Sequence, residues 1–318
     1  MDFINLVNPN DIYSFKYEIS HFPDGQHSFK LIESESRYYT FDVLREHAKK
    51  HSITIKSRLN SFEDLEIILC ATQALKNLGI KRIRLYIPYC LGGRSDRKFV
   101  KGSINYIKDI IAPIINLQGY EEVEIMDPHS DVLEACINNF SKIGTEKLLN
   151  FTFKDYFLSK GHKTWKQENV DNILLVSPDA GALKKIYGVA QYIGYQSDII
   201  VATKYRNPIT GQIEKTDVPL NITTEYCDKD IFIVDDICDG GRTFIEIAKA
   251  IKSEKRFIGE IYLVITHGIF SQGFEGLASY VSGIYTTNSV KDIEDGDIVD
   301  EFSKHKTIHE LVKQFNVF

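Results

Sequence analysis

The sequence predicts an α/β fold in which mainly parallel sheets are flanked by helices. Short runs rich in Ile, Val, Leu and Tyr alternate along the chain with longer segments of helical period. The short runs are almost continuously apolar, which is typical of parallel strands buried on both faces. The chain has 318 residues, and at roughly 150 residues per domain this is enough for about two domains with separate cores.

The individual elements follow from these runs in chain order. Strands are predicted over 80–89, 123–128, 172–179, 197–204, 230–236 and 259–267. Helices are predicted over 103–118, which contains Pro113, over 182–193 and over 243–253. A helical stripe also occupies the last segment, about residues 305–318.

The α/β pattern occurs twice, once before about residue 138 and again after about residue 170. Between the two lies a polar stretch with interspersed aromatic residues, 138–171, which we interpret as a bridge. The sequence therefore predicts two similar domains in series, with a first domain over 1–140 and a second over 141–304.

Composition excludes several classes of function. Lys and Arg number 38 against 44 Asp and Glu, a net charge of −6, so no overall basic field attracts nucleic acid. No apolar run approaches the roughly 18 residues that span a bilayer, and the N-terminus MDFINLVNPND lacks the basic start of a signal peptide. The five cysteines are scattered without a CxxC pair and are typical of reduced thiols. We expect a cytoplasmic protein that binds neither membranes nor nucleic acid.

The strongest chemical signal is the segment IFIVDDICDGGRTF, residues 231–244. An apolar strand ends in acidic residues and a glycine turn that opens a helix: Asp235, Asp236, Asp239, Gly240, Gly241, Arg242 and Thr243. Glycines allow backbone N–H groups at a helix N-terminus to surround an anion, and the acidic pair can accept sugar hydroxyls or hold a metal. The simpler alternative, an ordinary strand-to-helix turn, needs fewer Asp, Gly and Arg residues than are present.

Three further segments follow strands and carry charge. In 87–99, Arg94, Asp96, Arg97 and Lys98 follow a Gly92-Gly93 hinge and suit a polyphosphate, although a solvated basic loop is an equal alternative.

His129 and Asp179 follow two other strands and weakly favour a Mg²⁺ site. Lys204 and Arg206 begin a long polar loop, 202–217, which is either scaffolding or a lid. No Walker loop and no GxGxxG fingerprint is present.

Seven segments, in the same order, resemble motifs of the ribose-phosphate diphosphokinases (PRPP synthetases). FPDGQ (22–26) is similar to FSDGE, IPYCLGGRSDRK (87–98) to IPYxxYARQDRK, MDPHS (126–130) to DLHA, VSPDAGALKKI (176–186) to VSPDxGGxxRA, TKYR (203–206) to DKRR, VDDICDGGRT (234–243) to VDDxxDTxGT and THGIFSQG (266–273) to THxxFSG. Each motif alone is a weak signal, whereas seven in register are specific and span essentially the whole chain.

The resemblance implies two phosphoribosyltransferase-type domains, a terminal helix packed on the first domain, and a homo-oligomer that completes the ATP site. It implies that the β,γ-diphosphoryl group of Mg-ATP passes to the anomeric hydroxyl of ribose 5-phosphate, which gives PRPP and AMP. The resemblance also implies roles for single residues. Mg²⁺ would be bound by His129 and Asp179, and catalysis would be carried out by Lys204 and Arg206. ATP would be bound by Phe22, Asp24, Gln26, Arg94, Ser95 and Asp96, and the ribose phosphate by Asp235, Asp236 and 239–243.

The chain departs from the family motifs at ligand contacts. Gln26 replaces a Glu and Ser95 replaces a Gln on the nucleotide side, while Gly240 and Arg242 alter the sugar-phosphate loop. Arg242 either clamps the same 5-phosphate or reaches a second phosphate, in which case ADP-ribose is the acceptor. Two remoter alternatives are a phosphoribosyltransferase that consumes PRPP and a non-catalytic partner protein related to PRPP synthetases.

The cysteine within the sugar-phosphate loop, Cys238, lies among aspartates that would raise its pKa. We therefore interpret it as a packing residue rather than a redox switch.

Overall fold

The chain divides between Gly144 and Thr145 into two units, with Phe318 grouped with the first. The structure, a computed structural model, describes residues 3–33, 40–98, 100–163, 170, 172–206, 213–219, 226–299 and 305–318. The sequence placed the boundary after residue 140, whereas the last strand of the first sheet continues to Ile143. No helix among the described residues is long and apolar enough to cross a membrane.

The first unit is a parallel sheet with helices and one separate hairpin. Its elements are β1 (Phe3–Asn5), β2 (Lys16–His21), β3 (His27–Ile32), α1 (Phe41–Ala48), β4 (Ile53–Lys56), α2 (Phe62–Asn77), β5 (Ile83–Tyr86), a π-helical turn (Ile107–Ile111), α3 (Ala112–Leu117), β6 (Glu122–Met126), α4 (Val132–Cys136) and β7 (Phe140–Ile143). The sheet order is β1-β4-β5-β6-β7, and β2 and β3 form an antiparallel pair outside it.

The second unit is built around a six-stranded parallel sheet. Its elements are α5 (Glu146–Ser159), β8 (Ile173–Ser177), α6 (Leu183–Ile193), β9 (Ile200–Val201), β10 (Thr203–Arg206), β11 (Ile213–Asp217), β12 (Asp230–Cys238), α7 (Arg242–Lys252), β13 (Ile261–Gly268), α8 (Glu275–Ala278), β14 (Gly283–Thr287), β15 (Asp297–Val299), β16 (His305–Thr307), α9 (Ile308–Leu311) and β17 (Val312–Phe315). The sheet order is β17-β14-β13-β12-β8-β9.

Burial on both faces of the second sheet explains its continuously apolar strands. In β8, Leu174 and Val176 pack into one core cluster, whereas Ile173 and Leu175 pack into another on the opposite face. Successive side chains of a strand point to opposite faces, so a strand covered on both sides needs apolar residues at every position. The prediction of an α/β fold with mainly parallel sheets is confirmed.

The boundaries of two predicted elements change for local reasons. The helix predicted over 103–118 begins as the π-helical turn at Ile107 and continues as α3, with Pro113 in its first turn. A proline has no backbone N–H to donate, and the π-helical turn directly before it already interrupts regular α-helical bonding. The strand predicted over 197–204 is divided into β9 and β10.

The interpretation of 138–171 as a polar bridge is wrong for most of the segment. Residues 140–143 form strand β7, and 146–159 form helix α5. Phe153, Tyr156 and Phe157 of α5 are buried in the second core, and the Tyr156 hydroxyl donates to Asp230 Oδ2 at 2.8 Å. Residues 164–169 and 171 lie outside the described residues.

The prediction of a helix over about 305–318 that packs on the first domain is also wrong. Helix α9 covers only four residues, after a capping box in which Thr307 and Glu310 exchange hydrogen bonds. The backbone then becomes extended at Val312, and β17 pairs in parallel with β14 of the second sheet. Tertiary pairing along the sheet edge therefore overrides the helical period of the sequence.

The burial of α5 in the second core can be tested by mutation. We expect Phe153→Ala to lower the free energy of unfolding by about 3–5 kcal/mol, because the ring is fully buried against Phe157 and Phe232. Urea unfolding of the chain measures the change. Leu158→Ala, on the same helix but 45% exposed, is the control and should change stability by less than about 1 kcal/mol. Equal effects of the two substitutions would contradict the placement of α5 in the core.

Candidate active site

Carboxylates collect at the carboxyl end of two neighbouring strands in the second unit. Strand β12 pairs in parallel with β8, with Ile233 opposite Val176. Asp235 and Asp236 lie near the end of β12, and Asp179 follows the end of β8 by two residues. Ligands bind at this edge of open parallel sheets, so the structure places the predicted acidic residues where a ligand site is expected.

Asp235 and Asp236 form a closely interacting acidic pair. The backbone N–H of Asp236 donates to Asp235 Oδ1 at 2.9 Å, and Asp236 is only 4% exposed. Burial raises the pKa of Asp235 well above its ordinary value, and the negative charges of Asp236 and Asp179 raise it further. The pair therefore favours hydroxyl donors or cations over a second anion.

Lys185 brings a positive charge next to this pair. Its Nζ lies 2.9 Å from Asp236 Oδ2, and helix α6, which follows Asp179, carries it there. The prediction from sequence missed this residue. A signal was present, because the arginine of the VSPDxGGxxRA motif aligns with Lys185.

Asp179 is fixed by the turn that leads into α6. Its Oδ1 accepts hydrogen bonds from the backbone N–H groups of Gly181 at 3.0 Å and Ala182 at 3.2 Å. Mg²⁺ prefers oxygen ligands such as carboxylates. Asp179 is therefore a chemically suitable oxygen donor at the same edge of the sheet as Asp235 and Asp236. The other predicted ligand, His129, belongs to the first unit, where it is exposed in the turn after β6.

The segment after β12 turns sharply into α7. Gly241 has a φ of +75°, and a Cβ atom built there would lie 3.2 Å from the Leu277 side chain, so glycine suits both the backbone and the space. Backbone bonds tie this turn to the segment 266–273: the Ile269 N–H donates to the Cys238 carbonyl at 2.8 Å, and the Ser271 N–H donates to the Asp239 carbonyl at 3.1 Å.

Helix α7 begins with Arg242, whose side chain is exposed. Within the part of the chain that the structure describes, no carboxylate forms an ion pair with it. A cation at a helix N-terminus opposes the helix dipole by about 0.3–1 kcal/mol, so Arg242 does not stabilise α7. Exposed Gly240, the backbone N–H groups and Arg242 together make this turn suitable for an anion.

Cys238 is fully buried at the end of β12. Burial raises its pKa to about 12, and the charges of Asp235 and Asp239 add to that effect. A thiol with so high a pKa is unreactive, in agreement with a packing role.

Lys204 and Arg206 lie in β10, which pairs antiparallel with β11. The segment 202–217 is therefore not a single loop: its two arms form a two-stranded ladder, with Lys204 opposite Thr216. The side chains of Lys204 and Arg206, and residues 207–212, lie outside the described part of the chain. Their catalytic assignment stays a prediction.

In the first unit, the segment FPDGQ forms the tip of the β2–β3 hairpin. The Phe22 N–H donates to the Gln26 carbonyl at 2.9 Å, and the Gln26 N–H donates to Asp24 Oδ1 at 3.1 Å. All five residues are exposed, including the Phe22 ring at 52%. An exposed aromatic ring on a turn held by its own hydrogen bonds is available for a ligand or a second chain.

The sequence suggested that the basic residues of RSDRK face a polyphosphate, but one of them is paired with the aspartate inside the segment. Asp96 is buried, and its carboxylate accepts two hydrogen bonds from Arg97, at 2.9 and 3.2 Å. These bonds hold the pKa of Asp96 below its usual value, with a further contribution from Ser130. Arg97 is thus committed to Asp96, while Arg94 remains exposed and Ser95 is half-buried.

This chain resembles known proteins both in sequence and in fold. Residues 157–267 match the family model of the phosphoribosyl transferase domain. A solved structure of phosphoribosylpyrophosphate synthetase from Mycobacterium smegmatis superposes with a TM-score of 0.71 over 99% of this chain and 95% of that one. At 15% identity, this likeness shows the fold alone, and with the family match over 157–267 it agrees with the predicted phosphoribosyltransferase-type α/β fold.

Sequence relatives are more specific. The chain is 25% identical to a ribose-phosphate pyrophosphokinase of Pyrococcus abyssi, over 90% of this chain and 85% of the relative. It is 29% identical to one of Thermosipho africanus, over 90% of this chain and 81% of the relative. The predicted resemblance to the ribose-phosphate diphosphokinases is confirmed, and so is the prediction that the chain is an enzyme.

The ion pair between Lys185 and Asp236 can be tested by substitution of the lysine. Removing one partner of a buried pair costs about 3–5 kcal/mol; because Lys185 is partly exposed, we expect Lys185→Met to cost about 2 kcal/mol of stability. We also expect at least a tenfold lower kcat/KM, because Asp236 then protonates or turns away. Lys185→Arg should restore most of both. Thermal unfolding and steady-state kinetics measure these effects.

The control is Lys249→Met, which removes an exposed lysine paired with Glu246 at 3.7 Å. Such surface pairs contribute about 0–1 kcal/mol. If Lys185→Met behaved like Lys249→Met, the pairing with Asp236 would have no role in the site.

Proposed function

We propose that this chain is an ATP-dependent diphosphokinase that transfers the β,γ-diphosphoryl group of Mg-ATP to the anomeric hydroxyl of ribose 5-phosphate, forming PRPP and AMP. The observation that carries this proposal is the site at the end of β12. There, an acidic pair adjoins a glycine turn and a helix N-terminus. Carboxylates suit the hydroxyls of a ribose, and the turn suits its phosphate, so one segment presents both kinds of contact in sequence.

Each group of residues has a defined task in this reaction. Asp235 and Asp236 accept hydrogen bonds from the ribose hydroxyls, while Lys185 holds Asp236 in place. Residues 239–243 bind the 5-phosphate. Phe22, Asp24, Gln26, Arg94 and Ser95 contact ATP, and Asp96, which is buried and paired with Arg97, orders the segment that presents Arg94 and Ser95 to the nucleotide. Lys204 and Arg206 neutralise charge on the transferring group. Such transfers depend mainly on positioning and charge neutralisation.

Magnesium is the cofactor that this chemistry implies. When bound with ATP, Mg²⁺ neutralises phosphate charge and polarises the transferring group. His129 and Asp179 are the residues that we assign to it, and the acidic pair is the neighbouring oxygen donor set in the second unit. The pKa of Asp235 is raised first by burial and then by the negative charges of Asp236 and Asp179, and a nearby cation would offset both effects, which supports this assignment.

A second acceptor, ADP-ribose, is favoured by one observation at the sugar-phosphate turn. Arg242 is exposed at the start of α7, and Gly240 beside it is exposed as well. A guanidinium there can reach a second phosphate of a diphosphate tail, and Gly240 leaves room for the larger acceptor. Ribose 5-phosphate remains the first proposal because relatives along the whole chain carry the name ribose-phosphate pyrophosphokinase.

Two other classes of function fit the chain less well. A phosphoribosyltransferase that consumes PRPP would not need a first unit with RSDRK and MDPHS. A non-catalytic relative would be expected to lose active residues, whereas His129, Asp179, Lys204 and Arg206 are all present in the sequence. Which product appears distinguishes these classes: AMP for a diphosphokinase, free pyrophosphate for a transferase, and none for a binding partner.

We further propose that the enzyme is a homo-oligomer in which the hairpin tip of one chain completes the ATP site of another. The exposed Phe22 ring on an exposed turn supports this arrangement. Its substrates are then small molecules alone, with neither nucleic acid nor a membrane as a partner.

Acceptor choice is the experiment that tests the proposal. The purified chain is incubated with Mg-ATP and either ribose 5-phosphate or ADP-ribose, and AMP release and product mass are measured. We expect AMP together with a ribose 5-phosphate product heavier by one diphosphate. Turnover with ADP-ribose alone would mean that ADP-ribose, and not ribose 5-phosphate, is the acceptor. Turnover with neither compound would contradict the proposed activity.

Lys204→Ala tests the assignment of the catalytic residues. We expect kcat to fall by about 10²–10³, because a cation placed at the transferring group is worth several kcal/mol of barrier. The melting temperature should stay unchanged. Lys249→Ala serves as a matched control with normal kcat. Full activity of Lys204→Ala would refute the assignment.

Arg242→Ala tests the phosphate turn. A hydrogen bond to a charged group is worth about 1.5–3 kcal/mol, so we expect KM for the acceptor to rise by about 10- to 100-fold. KM for ATP should change little, and the melting temperature should stay the same or rise slightly, because the substitution removes an unfavourable cation from the start of α7. Acceptor titrations at saturating ATP measure the effect. An unchanged KM for the acceptor would place Arg242 outside the binding site.

A further inference from the structure

Two histidines close the β2–β3 hairpin immediately before and after the exposed turn 22–26. His21 and His27 are cross-strand partners, with ring centroids 4.3 Å apart. His27 is buried, whereas His21 is exposed. Glu63 and Glu66, three residues apart in α2, both face His27. The function proposed above uses none of these four side chains.

Glu66 determines the orientation of the His27 ring. Its Oε2 lies 2.7 Å from His27 Nδ1, and its Oε1 accepts from the His27 backbone N–H at 3.4 Å. An ionised carboxylate only accepts hydrogen bonds. The Nδ1 atom of His27 therefore carries a proton and donates a hydrogen bond to Glu66. The second ring nitrogen, Nε2, is thereby turned towards Glu63 and His21.

The contact between His27 and Glu63 requires a positive charge. His27 Nε2 lies 3.2 Å from Glu63 Oε1. In a neutral imidazole protonated at Nδ1, Nε2 is an acceptor, and two acceptors facing each other repel. Either a second proton on the ring or a metal ion resolves this contact. The raised pKa of His27, caused first by its hydrogen bond to Glu66, means that a proton competes for this position.

The geometry suits a metal ion. Zinc bonds of about 2.0–2.2 Å to nitrogen and oxygen place the ligand atoms of a tetrahedral site roughly 3.3 Å apart, close to the observed separation of Nε2 and Oε1. One ligand atom each from His21, His27 and Glu63 all lie within 4.8 Å of one another. His21 and Glu63 are exposed, so both side chains can rotate to close the remaining distance.

We propose that His21, His27 and Glu63 bind a divalent transition-metal ion, with zinc as the best fit, and that Glu66 is the positioning residue for His27. A carboxylate that accepts from the non-ligating nitrogen of a metal-bound histidine is a recurrent feature of zinc sites. Two imidazoles and one carboxylate favour zinc over magnesium, which takes oxygen ligands.

Such an ion would fasten the hairpin to helix α2 at the base of the turn 22–26. A two-stranded hairpin is marginally stable alone, so a metal bridge to a long helix would restrict how the turn projects from the unit. This consequence rests on the function proposed for Phe22, Asp24 and Gln26, whereas the metal site itself does not.

Calorimetric titration of the full chain with zinc chloride tests the proposal. The chain is first stripped with a chelator, and excess Mg²⁺ is present to occupy oxygen-ligand sites. We expect one equivalent of zinc to bind. His21→Ala and Glu63→Gln should each weaken the affinity at least tenfold, and Glu66→Gln should do so by about 10- to 100-fold. The first two substitutions change exposed side chains, and unfolding temperatures verify that the variants fold.

The matched control is His309→Ala, which removes an exposed histidine paired with Asp295 at 3.6 Å and should leave zinc affinity unchanged. Absence of saturable binding, or equal binding by His21→Ala and Glu63→Gln, would overturn the proposal. His27 would then be an imidazolium between two carboxylates, which ¹⁵N resonances of the ring identify. Because the titration contains neither ATP nor acceptor, an inactive chain that binds zinc would contradict the proposed function alone.

Discussion

Buried negative charge at the end of strand β12 is the constraint around which the second unit is arranged. Asp235 and Asp236 are adjacent, and burial raises the pKa of Asp235 well above its ordinary value. A buried carboxylate needs a cation or hydrogen-bond donors to remain ionised. Helix α6 meets part of this need by bringing Lys185 to 2.9 Å from Asp236. We propose that the carboxylates of this site also bind a metal ion and the hydroxyls of a sugar.

The two units use charged residues differently. In the first unit, Asp96 is buried and its charge is matched by Arg97, so this pair orders a segment and leaves Arg94 exposed. In the second unit, the cation at the start of α7 lacks an ion pair with any described residue, although a helix N-terminus disfavours it. Arg97 is therefore explained by the folded chain itself, whereas for Arg242 we propose an anionic ligand.

The sequence was most informative where one physical requirement dominates. Strands buried on both faces need continuous apolar residues, so β8, β12 and β13 and the polar residues at their ends were predictable. Helix α5 was not recognised because its buried Phe153 and Phe157 are separated by Lys154 and Asp155, and the residues that follow the helix are mostly polar. Strand β17 was mistaken for helix because its pairing with β14 is a tertiary contact that no local period reveals. Lys185 escaped attention for a similar reason, since its partner lies 51 positions later in the chain.

We propose that ATP gives up its two terminal phosphates as one unit, and ³¹P NMR of the reaction can follow that transfer. The chain is mixed with Mg²⁺, ATP and ribose 5-phosphate, and the phosphorus resonances are followed over time. We expect the β- and γ-phosphorus signals of ATP to move together to a sugar diphosphate while AMP accumulates. Appearance of ADP with a sugar monophosphate ester, or of free pyrophosphate without a sugar product, would contradict it.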